Sequence, residues 1–394
     1  MSTLKVDNIR HNSATSDAIT MASDGTCTAK VTSIGGGGLS HRNLIINGAL
    51  NVAQRGVTST STGYRTVDRF QCGAGGVNES PTFAQVDVAN GTTPYTLGFR
   101  KALRITNGNQ TTLDAGDEIN IVYNIEAQDL ITSGWNYKSS SSFATWSFWI
   151  KSSVAQNFRG YIRSYDNTAT AYAFETGNLS ANTWTKIVRT IPGNSGLDID
   201  NDNGTGLQLR LLAYIGTAYT DNSTPTHQWV TYNSSARTPD NTSTWYQTDD
   251  ATLEITGYQF EVGDIATSFE HRSYGEELER CRRYYQVILD RSTDSGDDSG
   301  LGGTVYASNG GVYVPVRFNP PMRTKPTVES SNAGNEFRTR HGDLVNFTSF
   351  TGFNTASRHG GTLITSASGN KVVGDYYWIE TDQGSAKLAV SAEL

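Results

Sequence analysis

The stretch FATWSFWIK, residues 143–151, decides how this chain is to be read. Period-two alternation puts Ala144, Trp146, Phe148 and Ile150 on one side of an extended strand, a core face. Phe143, Thr145, Ser147 and Trp149 fall on the other side, which is mixed. Working outward, residues 43–47 (NLIIN), 67–72, 82–88, 97–106, 118–126, 158–165, 183–191, 206–215 and 252–262 also read as strands. Clusters of Gly, Asn, Asp, Ser or Pro bound them. So many strands over residues 41–272, with long polar loops such as 217–246, predict a jelly-roll β-sandwich in an all-β protein.

Composition agrees. The 394 residues include 40 glycines, 9 prolines, 19 Tyr, 14 Phe and 7 Trp, and only 18% are charged. Low charge with many aromatics excludes a disordered chain. Glycine without a Gly-X-Y period excludes collagen. A surplus of Ser, Thr, Asn and aromatics over Leu, Ala, Glu and Lys disfavours a helical protein. The net charge is −7 and no long basic run occurs, so no nucleic acid partner is expected. The apolar run 209–215 is far too short to span a bilayer, and no membrane insertion is expected. The start, MSTLKVDNIRHN, lacks the apolar stretch of a signal peptide, which implies a product made soluble. Cys27, Cys72 and Cys281 lie far apart, form no CxxC pair and read as small buried thiols.

Residues 1–40 differ from the rest of the chain. Leu4, Val6, Ile9, Ile19, Cys27, Val31 and Ile34 are too few apolar side chains to offset the backbone entropy of ordering this arm. It must pair with copies of itself or dock on another protein, with Gly35–Gly38 as a hinge to the body. At the far end of the sandwich, Ser273 with Glu276 three residues on is a capping box that opens a linking helix over 273–289. Leu278, Cys281 and Tyr285 repeat along one face of it. An acidic, glycine-rich loop, 290–303, then leads into a smaller β-rich unit, 290–394. Its expected strands are 311–318, 325–330, 347–352, 361–365, 372–380 and 386–389.

Motifs for catalysis or cofactor binding are missing. No P-loop, dinucleotide fingerprint, HExxH, GxSxG or Cys/His metal cluster occurs, and no cofactor is expected. Asp198, Asp200 and Asp202 alternate as the ligands of a calcium loop do. The pattern departs from such a loop at Asn203, where the sharp turn wants Gly, and at Leu209, where it wants Glu. Hydrolysis of a glycoside needs two carboxylates across a groove. Glu254 and Glu261 with Asp249 and Asp250 could supply them, but among 38 acidic residues such pairs arise freely. No catalytic residue is assigned and no enzyme is expected. Aromatics are the better lead, because sugars present apolar C–H faces that lie on flat rings beside polar hydrogen-bonders. Trp229, Tyr232, Trp245 and Tyr246 occur in the polar region 217–246, and Trp135 and Tyr137 in another. Tyr376, Tyr377 and Trp378 crowd the C-terminal unit, where Arg338, Arg340 and His341 are also found. The binding candidates are therefore Tyr376, Trp378, Arg338, Arg340, Trp229, Tyr232 and Trp245.

Four stretches resemble tail-fibre and related receptor-binding proteins of tailed bacteriophages, especially marine and cyanobacterial ones. They are STLKVDNIRHNSATSDAITMASDGT (2–26), HRNLIINGALNVAQRG (41–56) with VDRFQ (67–71), TLEITGYQFEVGDIATSFEHRSYGEELERCRRYYQ (252–286) and KLAVSAEL (387–394). The second and third are similar to the entry into, and the last strand and linking helix of, a carbohydrate-binding-like jelly roll. The resemblance implies a homotrimeric virion protein, assembled in the host cytoplasm and exposed on the phage tail. Residues 1–34 would meet a tail or baseplate protein, and the far end would meet host-surface glycan. Two rival expectations stand beside this one: a tail depolymerase that cuts the glycan, and a purely structural head or tail decoration fibre.

Overall fold

The computed structural model describes residues 6–10, 12–13, 15, 17–25, 27–29, 42–291, 300–301, 306–308, 311–331, 334, 336–341, 343–365, 376–382 and 386–394. In the arm, β1 (Asn8–Ile9), β2 (Ile19–Met21) and β3 (Cys27–Ala29) form an antiparallel sheet. Among the described residues of the arm, Val6, Ile9 and Met21 are exposed. The expected hinge Gly35–Gly38 lies outside the described residues.

The body contains β4 (Thr58–Ser59), β5 (Phe70–Gly75), β6 (Thr82–Asp87), β7 (Lys101–Thr106), β8 (Glu118–Glu126), β9 (Phe143–Ser152), β10 (Asn157–Ser164), β11 (Thr170–Asn178), β12 (Thr185–Pro192), β13 (Thr205–Ile215), β14 (Trp229–Thr231) and β15 (Thr252–Val262). They make two six-stranded antiparallel sheets, one in the order β14-β11-β10-β13-β8-β5, the other β12-β9-β15-β7-β6-β4. Chain order passes back and forth between the two sheets, the winding of a jelly-roll sandwich. The predicted core face holds: Ala144, Trp146, Phe148 and Ile150 are all fully buried between the sheets. Trp146 packs edge-on against Phe174 of the opposite sheet, with ring centroids 5.0 Å apart.

Several sequence expectations change: 97–106 is strand only over Lys101–Thr106, and 347–352 is divided between a strand ending at Phe347 and one starting at Phe350. Residues 43–47 are not a strand. Asn43 Oδ1 accepts from the amides of Ile45 (2.9 Å) and Phe260 (3.0 Å), so a side chain replaces ladder bonds, and Asn47 (φ 62°) and Leu50 (φ 60°) turn the chain sharply. Strand β11 was missed because Ala171 and Ala173 alternate with Tyr172 and Phe174, which blurs the period-two contrast. The linking helix spans only Tyr274–Arg282, capped by Ser273 Oγ on the Glu276 amide (3.2 Å), and not 273–289. After it, Tyr285–Asp290 (β16) leaves the helix because it pairs with Lys387–Ser391.

The C-terminal unit continues with β17 (Gly300–Leu301), β18 (Tyr306–Ser308), β19 (Gly311–Arg317), β20 (Thr327–Ser330), β21 (Phe337–His341), β22 (Asp343–Phe347), β23 (Phe350–Ser357), β24 (Gly360–Thr365), β25 (Trp378–Thr381) and β26 (Lys387–Ser391). Its sheets β16-β26-β20, β17-β25-β21-β22 and β18-β19-β24-β23 share a core of Val312, Val314, Phe337, Leu363, Ile379 and Leu388.

The stretches at 42–71, 252–286 and 387–394 meet in one joint between the sandwich and this unit. Arg69, with its side chain fully buried, donates to Glu393 and to the Asn124 carbonyl (2.9 Å), and its guanidinium lies 3.5 Å from the Tyr284 ring. Arg272 donates to the carbonyls of Asn43 (2.6 Å) and Ile45 (3.1 Å) and pairs with Glu277 (3.1 Å). Tyr284 Oη donates to buried Glu126 (2.6 Å), which also holds Arg283 (2.6 Å). No helix of the described residues is long and apolar enough to cross a membrane.

Candidate functional site

On the outer face of the second sheet, β9 presents Ser147 and Trp149 away from the core. Trp149 is flanked in register by Lys186 of β12 and Thr256 of β15. A β-bulge lies just after Thr256, and Gly257 takes φ 66° there. A Cβ at Gly257 would stand 2.7 Å from Phe99 Cζ and 3.2 Å from Trp149 Cδ1, so glycine is what lets these rings close over the strand. Phe99 enters from the turn before β7, and Phe269 and His271 from the segment after β15. Their rings meet in a triangle, with centroids 4.8 Å (Phe99–Phe269), 5.2 Å (Phe99–His271) and 4.9 Å (Phe269–His271) apart. His271 Nε2 donates to the Leu97 carbonyl at 2.9 Å, which fixes the imidazole at the rim.

Between these groups lies a pocket of about 320 Å³, lined by Leu97, Phe99, Ser147, Trp149, Lys186 and Gly257 with Ala266, Thr267, Ser268, Phe269 and His271. Such a volume is at the small end for ligand sites, which run from about 300 Å³ upward. Among the described residues, its lining contains no carboxylate. Beside it Trp184, half-buried, carries Lys151 at 5.2 Å over its ring. Aromatic walls, hydroxyls and a lysine are the groups that hold a sugar ring: flat apolar surface for C–H faces, donors for its oxygens. Sequence reading put Trp149 on the mixed outward face of FATWSFWIK but did not single it out. An aromatic on the solvent side of an alternating strand was the available signal. Phe99 lies far in sequence from Phe269 and His271, and these three gave none.

The second cluster is one the sequence did predict. Arg338 and Arg340 alternate outward on β21, and Trp378 lies opposite Arg340 in register on β25. Both arginines converge on Glu380 (2.5 Å from Arg338 Nε, 2.9 Å from Arg340 Nη2), and Arg338 also reaches Asp382 (2.5 Å). Trp378 is 46% exposed, Leu344 across from Arg340 is 54% exposed and Tyr376 is 64% exposed, so this face offers ring surface to solvent. Tyr377 is buried.

The candidates from 217–246 fare differently. Trp245 and Tyr246 are fully buried in the sandwich core and present no surface to a ligand, because this loop folds inward over the sheet ends; Trp135 is buried too. Trp229 is half-buried, its Nε1 donating to the Pro192 carbonyl (2.7 Å). Tyr232 lies under the Arg163 guanidinium, 3.8 Å from its centroid. The three aspartates do not form a calcium loop. Asp198 is paired with Lys138 (3.2 Å), Asp200 donates its amide to Asp166 (2.9 Å), and Asp202 accepts the Gly204 amide (2.8 Å). Among the described residues no group of three His, Cys, Asp or Glu side chains could hold a metal. Glu254 is held by Arg104 and Lys151 (both 2.7 Å), and Glu261 by the Thr267 amide (2.8 Å) and hydroxyl (2.6 Å), so neither carboxylate faces a groove.

No family model and no curated protein matches the chain. Solved structures are similar to part of the chain. The enzymatically active domain of bacteriophage CBA120 tailspike protein 4 matches at 12% identity and TM-score 0.27, over 56% of this chain and 21% of that one. The xylan-binding domain CBM22-1 from Paenibacillus barcinonensis matches at 9% identity and TM-score 0.25, over 53% of this chain and 94% of that one. The N-terminal cellulose-binding domain of Cellulomonas fimi β-1,4-glucanase C matches at 9% identity and TM-score 0.25, over 55% of this chain and 99% of that one. Superpositions this loose say nothing of activity; the jelly-roll assignment rests on the strand order itself.

Proposed function

We propose that this chain is a glycan-binding attachment protein that holds carbohydrate without cutting it. The observation that carries the reading is the outer-sheet pocket walled by Trp149, Phe99 and Phe269, whose lining offers rings and donors but no carboxylate among the described residues. Most glycoside hydrolases use paired carboxylates at the bond; the lining's composition favours binding over turnover. Trp378, Leu344 and Tyr376 add a second exposed face on the C-terminal unit. The resemblance of the terminal stretches to phage tail fibres supports a place on the virion. There the arm would trimerise the chain on a tail or baseplate protein, and avidity would multiply weak single-site binding roughly 10²–10⁴-fold.

The test is titration of the intact protein with soluble neutral and acidic polysaccharides, with new reducing ends monitored in parallel. Binding that weakens at least about tenfold in Trp149→Ala, as loss of a stacking ring implies, is expected. No reducing ends should appear. Robust turnover would establish the depolymerase instead, and no binding to any glycan or host cell would leave the structural-fibre reading. Chemical cross-linking should give trimers; a monomer would contradict the role assigned to the arm.

A further inference from the structure

We infer that the outer-sheet pocket is built for a sugar bearing an anionic group, a carboxylate or a sulfate, with Lys186 as its counter-ion. This rests on the glycan-binding reading of that pocket and names the class of sugar. Lys186 stands beside Trp149, its register partner across β12 and β9, and both line the cavity. It is exposed and, among the described residues, makes no hydrogen bond or ion pair.

Glu254, Glu261 and Glu270, carboxylates carried by the surrounding elements, are already taken. Glu254 is shared by Arg104 and Lys151. Glu261 accepts from Gln259 and Thr267. Glu270 accepts from Arg272 (3.2 Å) and the Asn43 amide (2.7 Å). Lys151, the other lysine on this face, is committed to Glu254. A chain of net charge −7 thus places one uncompensated ammonium beside an indole in a pocket without acid groups. A neutral sugar would use the rings and give the ammonium only a hydroxyl oxygen to donate to. An acidic pyranose would use both at once, its C–H face on Trp149 and its anionic group accepting from Nζ, and charge-assisted bonds of this kind are the stronger ones. His271, tied by Nε2 to the Leu97 carbonyl, stands at the rim as the other basic side chain of the lining.

Carboxylate and sulfate share this chemistry, so matched pairs separate them. The full-length protein is titrated with oligogalacturonate and its methyl ester, and with κ-carrageenan oligosaccharide and its desulfated form, at low and high salt. The acidic member of at least one pair should bind about tenfold tighter at low salt, and the preference should shrink as salt rises. Lys186→Gln, at an exposed position, should abolish the preference for the acidic member, whereas Trp149→Ala should weaken both members and keep the preference. Equal binding of acidic and neutral members, or a preference that survives Lys186→Gln, overturns the inference. Binding of neutral xylan or cellulose oligomers alone would sink it while the glycan-binding reading stands; binding of no sugar at all would sink both.

Discussion

Replacing Glu393 by Gln is the sharpest test of how the two halves of this molecule are joined. Arg69 has a fully buried side chain and Glu393 is 6% exposed, so their ion pair is sealed from water. Beyond Glu393, the Arg69 guanidinium has the Asn124 carbonyl and the faces of Tyr284 (3.5 Å) and Tyr123 (5.4 Å), and its Nε has no partner among the described residues. Burial opposes its charge, and Glu393 is the chief group that restores it, holding the arginine well above its ordinary range. Arg55, the other cation on Glu393 (3.1 Å), has Glu329 (3.9 Å) and the Tyr285 ring (3.7 Å) to fall back on. Arg69 has no second carboxylate of that kind among the described residues. Glu393→Gln therefore leaves one buried, uncompensated charge, and breaking a buried pair in this way costs about 3–5 kcal/mol. Urea unfolding of the full chain should show a lower midpoint with an unchanged slope. The double variant Arg69→Met with Glu393→Gln removes the stranded charge and should recover part of the loss. A loss below about 1 kcal/mol in the single variant would refute the reasoning, as would a double variant no more stable than the single, because the joint would then not depend on this pair.

Two other perturbations probe the sandwich. Asp68 is buried beside Gln54, and burial raises its pKa from 3.8 to about 6 despite the Gln54 hydrogen bonds that lower it. The folded state keeps this proton where the unfolded state has lost it. The group's effect is thus full stability below pH 3.8, declining as pH rises to about 6, with a constant penalty of about 3 kcal/mol beyond. Wild-type stability measured against Asp68→Asn across pH 3 to 8 should fall by about that amount; a pH-independent difference would show that Asp68 is not shifted. Gly257→Ala should destabilise by about 1–3 kcal/mol, from a side chain at positive φ and a methyl pressed on Phe99. It should also weaken sugar binding, since Trp149 and Phe99 must part. Unchanged unfolding midpoint and affinity would show that the glycine does not set the pocket.

Much of the sandwich was legible because its signal is local. Residues 118–126 and 252–262 were bounded correctly from turn residues and alternation alone, and the Ser273 cap was read from a four-residue spacing. What failed was decided at a distance. The side chain of Asn43 claims the bonds that a strand at 43–47 would have used. Tyr285 leaves its helix for a partner more than a hundred residues away, at Ser391. Arg338, Arg340 and Trp378 were gathered correctly because strands β21 and β25 put matching positions side by side. Trp245 was misjudged because a ring in a polar loop looks the same in sequence whether the loop folds inward or out.

The amino-acid sequence by itself determined the all-β class, the outward aromatic on FATWSFWIK, the cap of the helix and an N-terminal stretch poor in apolar side chains. Each of these depends on spacing within a few residues, where the pleat and the helical turn set the geometry. Only the tertiary structure decided that Phe99, Trp149, Lys186, Phe269 and His271 share a pocket. It alone also decided that Glu393 closes over Arg69. Such sites are assembled by sheet packing and loop return, and burial of a charge or exposure of a ring depends on what the rest of the chain places over it.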